Sequence, residues 1–322
     1  MKDEFQLIEK LLAHAPLQPS GDHGGIRIPA GDDACLLKPL KNPVVTTDTQ
    51  RNNVHFKLSW QTPEEIGEKA VAAALSDLAA SYAIPVSIFV NLAVPPSIKD
   101  NTLEAIYRGI KTALVKHNCS LGGGNVSRGR DLSLDMFAVG EGHDDIFPLR
   151  SAAKAGFGVY STGPLGLAAA GLDALKRGDA SFERLISSFK SPSARFDAAG
   201  VLLQHRVPCV MDISDGLCGD AGHIAKASGI TIKLAVLQEQ IDPDLNAYCR
   251  KYDLIPENVV LSGGEDYELL FACEPDRYEK VKRDLRGTFQ VGECLSYSDE
   301  HITGIPSGVA SFRHGARSRS AT

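Results

Sequence analysis

Apolar and polar positions alternate along the chain in a way that divides it into short strands and amphipathic helices. Between Glu4 and Ala15, Phe5, Leu7, Ile8, Leu11 and Leu12 recur at helical spacing and Pro16 closes the run, which predicts an opening helix. A polar, glycine-rich stretch from Ser20 to Gly25 leads into two short apolar runs, Gly31 to Leu37 and Val44 to Thr49, joined by a proline-bounded link. These runs predict neighbouring strands, with chain reversal at the link bringing Asp32, Asp33 and Asp48 to one end of both. Thr62-Pro63-Glu64-Glu65 then supplies the cap, first-turn proline and early acids of a helix start, and an alanine-rich helix is predicted to about Ser81. Val86 to Val94 reads as a strand between prolines. Leu103, Ile106, Tyr107, Ile110 and Leu114 stripe a helix from about Asp100 to His117. Leu121 to Gly129 reads as a glycine turn, and Leu132 to Gly140 as a further strand.

A polar, turn-like stretch from Gly142 to Pro148 marks a boundary, which predicts domains at 1–146 and 147–322. Beyond it, Gly156 to Gly163 reads as strand then turn, Pro164 to Leu175 as a helix whose N-terminus suits an anion, and two further helices run to about Lys190 and His205. Cys209 to Leu217 repeats the earlier device of an apolar strand ending in carboxylates beside a glycine, with a helix to about Ser228. Leu261 to Phe271 joins a glycine turn and three acids to a strand, and the remainder alternates helix and strand to Phe312. The pattern predicts an α/β (α+β) protein of two domains, an N-terminal mixed sheet with helices and a C-terminal α/β domain, both supplying carboxylates to one cleft.

Composition narrows the classes of function. The 322 residues are 43% hydrophobic and 23% charged, as in a soluble globular protein, and the net charge of −6 argues against a nucleic-acid binder. No apolar run approaches a membrane span and the start lacks the pattern of a signal peptide, so cytoplasmic residence is the expectation. Seven scattered cysteines without a Cys-x-x-Cys spacing suit buried thiols in a reducing compartment. Clustered carboxylates without a His/Cys set point to Mg²⁺, which favours carboxylates, water and phosphate oxygens. The chain has no Gly-Lys dipeptide, hence no P-loop, and it lacks kinase signatures and a Rossmann fingerprint. Taken singly, Asp77 reads equally well as a surface acid, His55 as a packed histidine and Arg150 as a surface ion-pair partner.

Read in series, Gly31-Asp32-Asp33-Ala34, Thr47-Asp48-Thr49 with Val54-His55-Phe56, Ser76-Asp77-Leu78-Ala79-Ala80, Gly123-Gly124-Asn125 with Arg128-Gly129, Asp212-Ile213-Ser214-Asp215-Gly216 and Ser262-Gly263-Gly264-Glu265-Asp266-Tyr267-Glu268-Leu269 resemble the thiamine-monophosphate kinases. These belong to the aminoimidazole-ribonucleotide-synthetase-like superfamily, and the resemblance runs from about Phe5 to Phe312. It implies ATP-dependent phosphorylation of thiamine monophosphate to thiamine diphosphate with several Mg²⁺ ions, and a homodimer in which N-terminal sheets pair. Carried over by position, Asp33, Thr46, Thr47, Asp48, Asp77, Asp212 and Asp215 are expected metal ligands. Asn125 stands where the family has aspartate, keeping an oxygen ligand without its charge. Tyr107, Gly124, Asn125, Arg150 and Ser214 are expected to contact ATP, and His55, Glu265 and Phe312 the thiamine substrate. No general base is expected, because a phosphate monoester with a second pKa of about 6 is already largely deprotonated at neutral pH. Ser81-Tyr82 and Gln50-Arg51-Asn52-Asn53 depart from the family pattern near the expected acceptor pocket. Two other readings are a superfamily enzyme that uses ATP on a different acceptor, and a catalytically impaired nucleotide-binding homologue.

Overall fold

A computed structural model describes residues 4–13 and 25–309, with side chains from residue 8 onward. Contacts divide the chain into two units, Met1–Phe147 with Lys190–Ala199, and Pro148–Phe189 with Gly200–Thr322. The break after Phe147 lies beside the boundary expected from sequence. The return of Lys190–Ala199 to the first unit has no counterpart in that expectation.

The first unit runs α1 (Glu4–Ala13), β1 (Ile26–Ile28), β2 (Leu36–Leu37), β3 (Pro43–Arg51), α2 (Pro63–Ala80), β4 (Ile84–Val94), α3 (Asp100–Lys116), β5 (Ser120–Arg128) and β6 (Ser133–Glu141). Its main sheet has the order β3-β6-β4-β5, with β4 and β5 parallel and the other pairs antiparallel. Ile88, Val90 and Leu92 of β4 and Leu134, Met136 and Ala138 of β6 share a core with Ile66, Ala70, Val71, Ala74 and Leu78 of α2. The expected capping box closes the start of α2: Glu65 N donates to Thr62 Oγ1 at 3.2 Å and Thr62 N donates to Glu65 Oε2 at 2.8 Å. Reciprocal glycines let α2 and α3 approach closely. A Cβ on Gly67 would lie 2.1 Å from Ile106 O, and one on Gly109 would lie 1.9 Å from Glu64 O.

Two expectations fail in this unit for packing reasons. The acidic runs are not neighbours, because β2 pairs with β1 while β3 pairs with β6 along its whole length. A two-residue strand offers little ladder, whereas β6 offers a nine-residue partner of alternating apolar side chains. The glycine run at 122–124 is a strand and not a turn. In β5 a Cβ on Gly122 would meet Phe89 Cζ at 2.5 Å and one on Gly124 would meet Val90 O at 1.9 Å, so side chains are excluded by the approach of β4.

The second unit contains β7 (Gly158–Ser161), α4 (Leu167–Arg177), α5 (Glu183–Lys190), the later part of α6 (Phe196–Gln204), β8 (Cys209–Asp212), α7 (Leu217–Ser228), β9 (Ile230–Leu234), α8 (Pro243–Tyr252), α9 (Pro256–Ser262), β10 (Leu269–Cys273), α10 (Pro275–Asp284), β11 (Phe289–Ser296) and β12 (Ile302–Thr303). Its six strands lie in the order β12-β9-β11-β7-β10-β8, so the apolar strand ending in Asp212 forms one edge. The mixed sheets and flanking helices bear out the expected α/β (α+β) class. Residues 263–268 are loop and β10 starts at Leu269. Glu265 (φ +64°) and Tyr267 (φ +51°) adopt left-handed backbone, which no regular strand accommodates.

Candidate functional site

In the first unit the candidate groups are distributed by strand alternation. Val44, Thr46, Asp48 and Gln50 share the face of β3 that turns toward α2, and Thr46 Oγ1 donates to Asp77 Oδ2 of that helix at 2.5 Å. Asp48 is held by its own neighbours, accepting from Thr49 N at 2.6 Å and from Gln50 Nε2 at 3.3 Å. Thr47 lies on the opposite, exposed face, so its side chain cannot join Thr46 and Asp48 and only its backbone is available to that set. Asp33 is exposed in a bend before β2. Gly124 and Asn125 are exposed on β5, where Asn125 stands opposite Asn91 of β4. Tyr107 is 4% exposed, among the core residues between α3 and the sheet, and burial pushes its phenol far above the usual range. Its ring is committed to packing.

His55 sits in a tight turn after β3. Its backbone N–H and that of Val54 both donate to Arg51 O, and Arg51 N–H donates to His55 Nδ1 at 3.1 Å. With Nδ1 accepting, Nε2 is the ring nitrogen left to donate.

In the second unit two loops are knit together at the edge strand. Glu265 N–H donates to Ser214 O at 2.8 Å, Tyr267 N–H to Ile213 O at 2.9 Å, and Ile213 N–H to Glu268 O at 2.8 Å. A Cβ on Gly264 would lie 2.4 Å from Ser214 O, which explains that glycine. Asp212, Ser214, Asp215 and Glu265 are thereby brought to one locality, as the sequence motifs require. Arg150 is exposed in a short 3-10 turn, and its carbonyl accepts from Ser228 Oγ of α7 at 2.8 Å. Phe312 lies outside the described residues.

Two acids that sequence reading passed over support this locality. Asp220, 1% exposed in α7, accepts from the amides of Ser214 and Asp215 at 3.1 and 3.2 Å. Burial, and then the charges of Asp212 and Asp215, push its carboxyl up to about 8. Asp266 accepts from Gly166 N at 2.6 Å and Ala168 N at 3.0 Å, capping α4, and loss of water pushes it up to about 7. The signal for both was indirect. For Asp266, α4 opens on Gly166, which has no capping side chain, so its first amides must find an acceptor elsewhere; for Asp220, the amides served lie in the loop before α7.

The N-terminal domain of AIR synthase related proteins matches residues 31–141. A thiamine-monophosphate kinase of Aquifex aeolicus is 34% identical over 253 residues, 77% of this chain and 81% of that protein. One of Bacillus subtilis is 31% identical over 88% of this chain and 87% of its own length. The chain belongs to the thiamine-monophosphate kinase family. A solved structure, AaThiL complexed with AMPPCP and TMP, superposes with a TM-score of 0.76 at 29% identity, covering 96% of this chain and 95% of that one.

The donor set suits the family's expected Mg²⁺. Among the described residues no three His, Cys, Asp or Glu side chains gather closely enough to hold an ion by themselves. The candidate donors are hydroxyls, carboxylates and an amide, all hard oxygens, and the charges of Asp212 and Asp215 that help raise Asp220 are a local excess of negative charge that a cation relieves. Magnesium habitually completes such sparse protein sets with water and phosphate oxygens.

Proposed function

We propose that this chain transfers the γ-phosphoryl group of ATP to thiamine monophosphate, giving ADP and thiamine diphosphate. The observation that carries the reading is identity of 31–34% to thiamine-monophosphate kinases over more than four-fifths of their length. Asp33, Thr46, Asp48, Asp77 and Asn125 of the first unit, Thr47 through its backbone, and Asp212 and Asp215 of the second would hold Mg²⁺. When bound, Mg²⁺ neutralises phosphate charge and aligns donor and acceptor oxygens.

The chain's own groups then have distinct tasks. Gly124, Asn125, Arg150 and Ser214 hold ATP, and the Arg150 guanidinium supplies the positive charge that the carboxylates lack. His55, Glu265 and Phe312 face the thiamine substrate, with His55 presenting a hydrogen-bond donor at Nε2. Tyr107, buried in the core of the first unit, is the least accessible of the residues expected at ATP. The acceptor phosphate attacks directly, without a general base or a phosphoenzyme. Support for a homodimer comes from the sheet face of the first unit that turns away from α2, where Val45 is 63% and Phe137 40% exposed. All seven cysteines are unpaired thiols, six of them buried, which suits a reducing cytoplasm. No described helix is long and apolar enough to cross a membrane.

Incubation with ATP, Mg²⁺ and thiamine monophosphate tests the reading. Thiamine diphosphate and ADP should appear together. ATP turnover only with another acceptor, or binding without turnover, overturns it, and a covalently labelled protein trapped from γ-labelled ATP would overturn direct transfer.

A further inference from the structure

Lys69 is the one lysine fully buried among the described residues, 1% exposed within α2. Placing an ammonium there is costly, and a methionine of similar length would fill the same volume without a charge to desolvate. The Nζ donates to the backbone carbonyl of His55 at 3.1 Å. That carbonyl belongs to the turn after β3, which is also held by Asn53 N–H to Phe56 O at 2.8 Å and Arg51 N–H to His55 Nδ1, and at its two ends by Asn52 N–H to Leu132 O at 2.9 Å and by Phe56, buried at 2% exposure. Asn53 stands at φ +65°, so the turn holds a backbone shape that asparagine tolerates and does not by itself enforce. The lysine comes from a different element and ties the middle of this turn to the helix. Asp77 lies on the same helix eight residues further on, about 12 Å along its axis.

We propose that Lys69 is a positioning residue: by holding the His55 carbonyl from inside the unit, it fixes the 52–56 turn and aims the His55 imidazole at the acceptor. This rests on the proposed function for the identity of the acceptor, but the tether itself does not. Because one helix carries both Lys69 and Asp77, the recognition turn and the Asp77 carboxylate are referred to the same rigid body.

Lys69→Met tests this in the full-length protein. The KM for thiamine monophosphate should rise about tenfold, in line with losing a hydrogen bond to a charged group. The KM for ATP should stay unchanged. A purely structural role would instead move both KM values together or neither, which overturns the proposal. Hydrogen exchange provides a second measurement that needs no turnover. The amides of Val54 and His55 should exchange faster in Lys69→Met, with those of α2 unchanged, and unaltered protection of the turn overturns the tether. If the wild-type protein forms no thiamine diphosphate, the functional reading fails, while the exchange result still decides whether Lys69 holds the turn.

Discussion

Asn125 is the residue at which the expected ring of charge is incomplete. It is exposed on the edge strand β5, so aspartate fits there without repacking. Asn125→Asp should lower the Mg²⁺ concentration for half-maximal activity several-fold, because a full negative charge replaces an amide oxygen. An unchanged Mg²⁺ requirement would remove Asn125 from the ligand set. Asp220 poses the complementary question, since its two hydrogen bonds and its charge are separable. Asp220→Asn keeps an acceptor for the amides of Ser214 and Asp215 and should retain most of the stability. Asp220→Ala leaves both part-buried amides without that acceptor and should cost about 1–3 kcal/mol, read from urea unfolding, with a parallel loss of activity.

At the scale of elements, helix contacts decide more than helix propensities. Gly109→Ala places a methyl against the backbone at Glu64, where α2 has its own capping box. The helices must separate, and the expected loss is about 1–3 kcal/mol by chemical denaturation. A pH effect is expected where α3 ends. His117 packs on Phe196 with ring centroids 5.3 Å apart, and burial followed by the charge of Lys116 holds its imidazole down to about 4. In the unfolded chain that ring gains a proton near pH 6.5, so the stability it contributes is complete above that pH and is lost as pH falls toward 4. Urea midpoints between pH 7 and 5 should therefore fall more in the wild type than in His117→Gln. Much of this level was legible in the sequence. Thr62-Pro63-Glu64-Glu65 marked the start of α2, and the apolar spacing from Leu103 to Leu114 marked α3. What was not legible depends on partners distant in the chain. Gly122, Gly123 and Gly124 carry the same composition in a turn or in a strand pressed against Phe89, and the pairing of β2 with β1 is decided by what β6 offers to β3. The candidate site divides likewise: the acids beside glycines stood out, whereas Asp220 and Asp266 act on amides that only the folded loops present.

For the whole molecule, the exposed face of the first unit's sheet has a direct test. Val45 and Thr47 of β3 stand opposite Val139 and Phe137 of β6 in register, which makes a continuous patch. A stable dimer needs about 800 Å² from each partner, more than isolated surface side chains supply. The 34.5 kDa chain should sediment at twice its mass, and Phe137→Glu with Val45→Glu should yield monomers that keep their secondary structure. A wild-type monomer at micromolar concentration would remove this face as the interface.

The return of Lys190–Ala199 to the first unit bears on how the chain is made. Ala194 and Phe196 are part of that unit's core packing, Lys116 Nζ donates to Ser193 Oγ at 2.9 Å, and Gln61 Nε2 donates to Lys190 O at 3.2 Å. A nascent chain leaving the ribosome therefore cannot finish its N-terminal half when residue 147 appears. It must wait, incompletely sealed, until residue 199 has emerged, by which time β7, α4 and α5 are already outside the tunnel. An isolated 1–147 fragment inherits the same open seam permanently and should expose apolar surface and aggregate. A fragment that folds needs residues 190–199 grafted back.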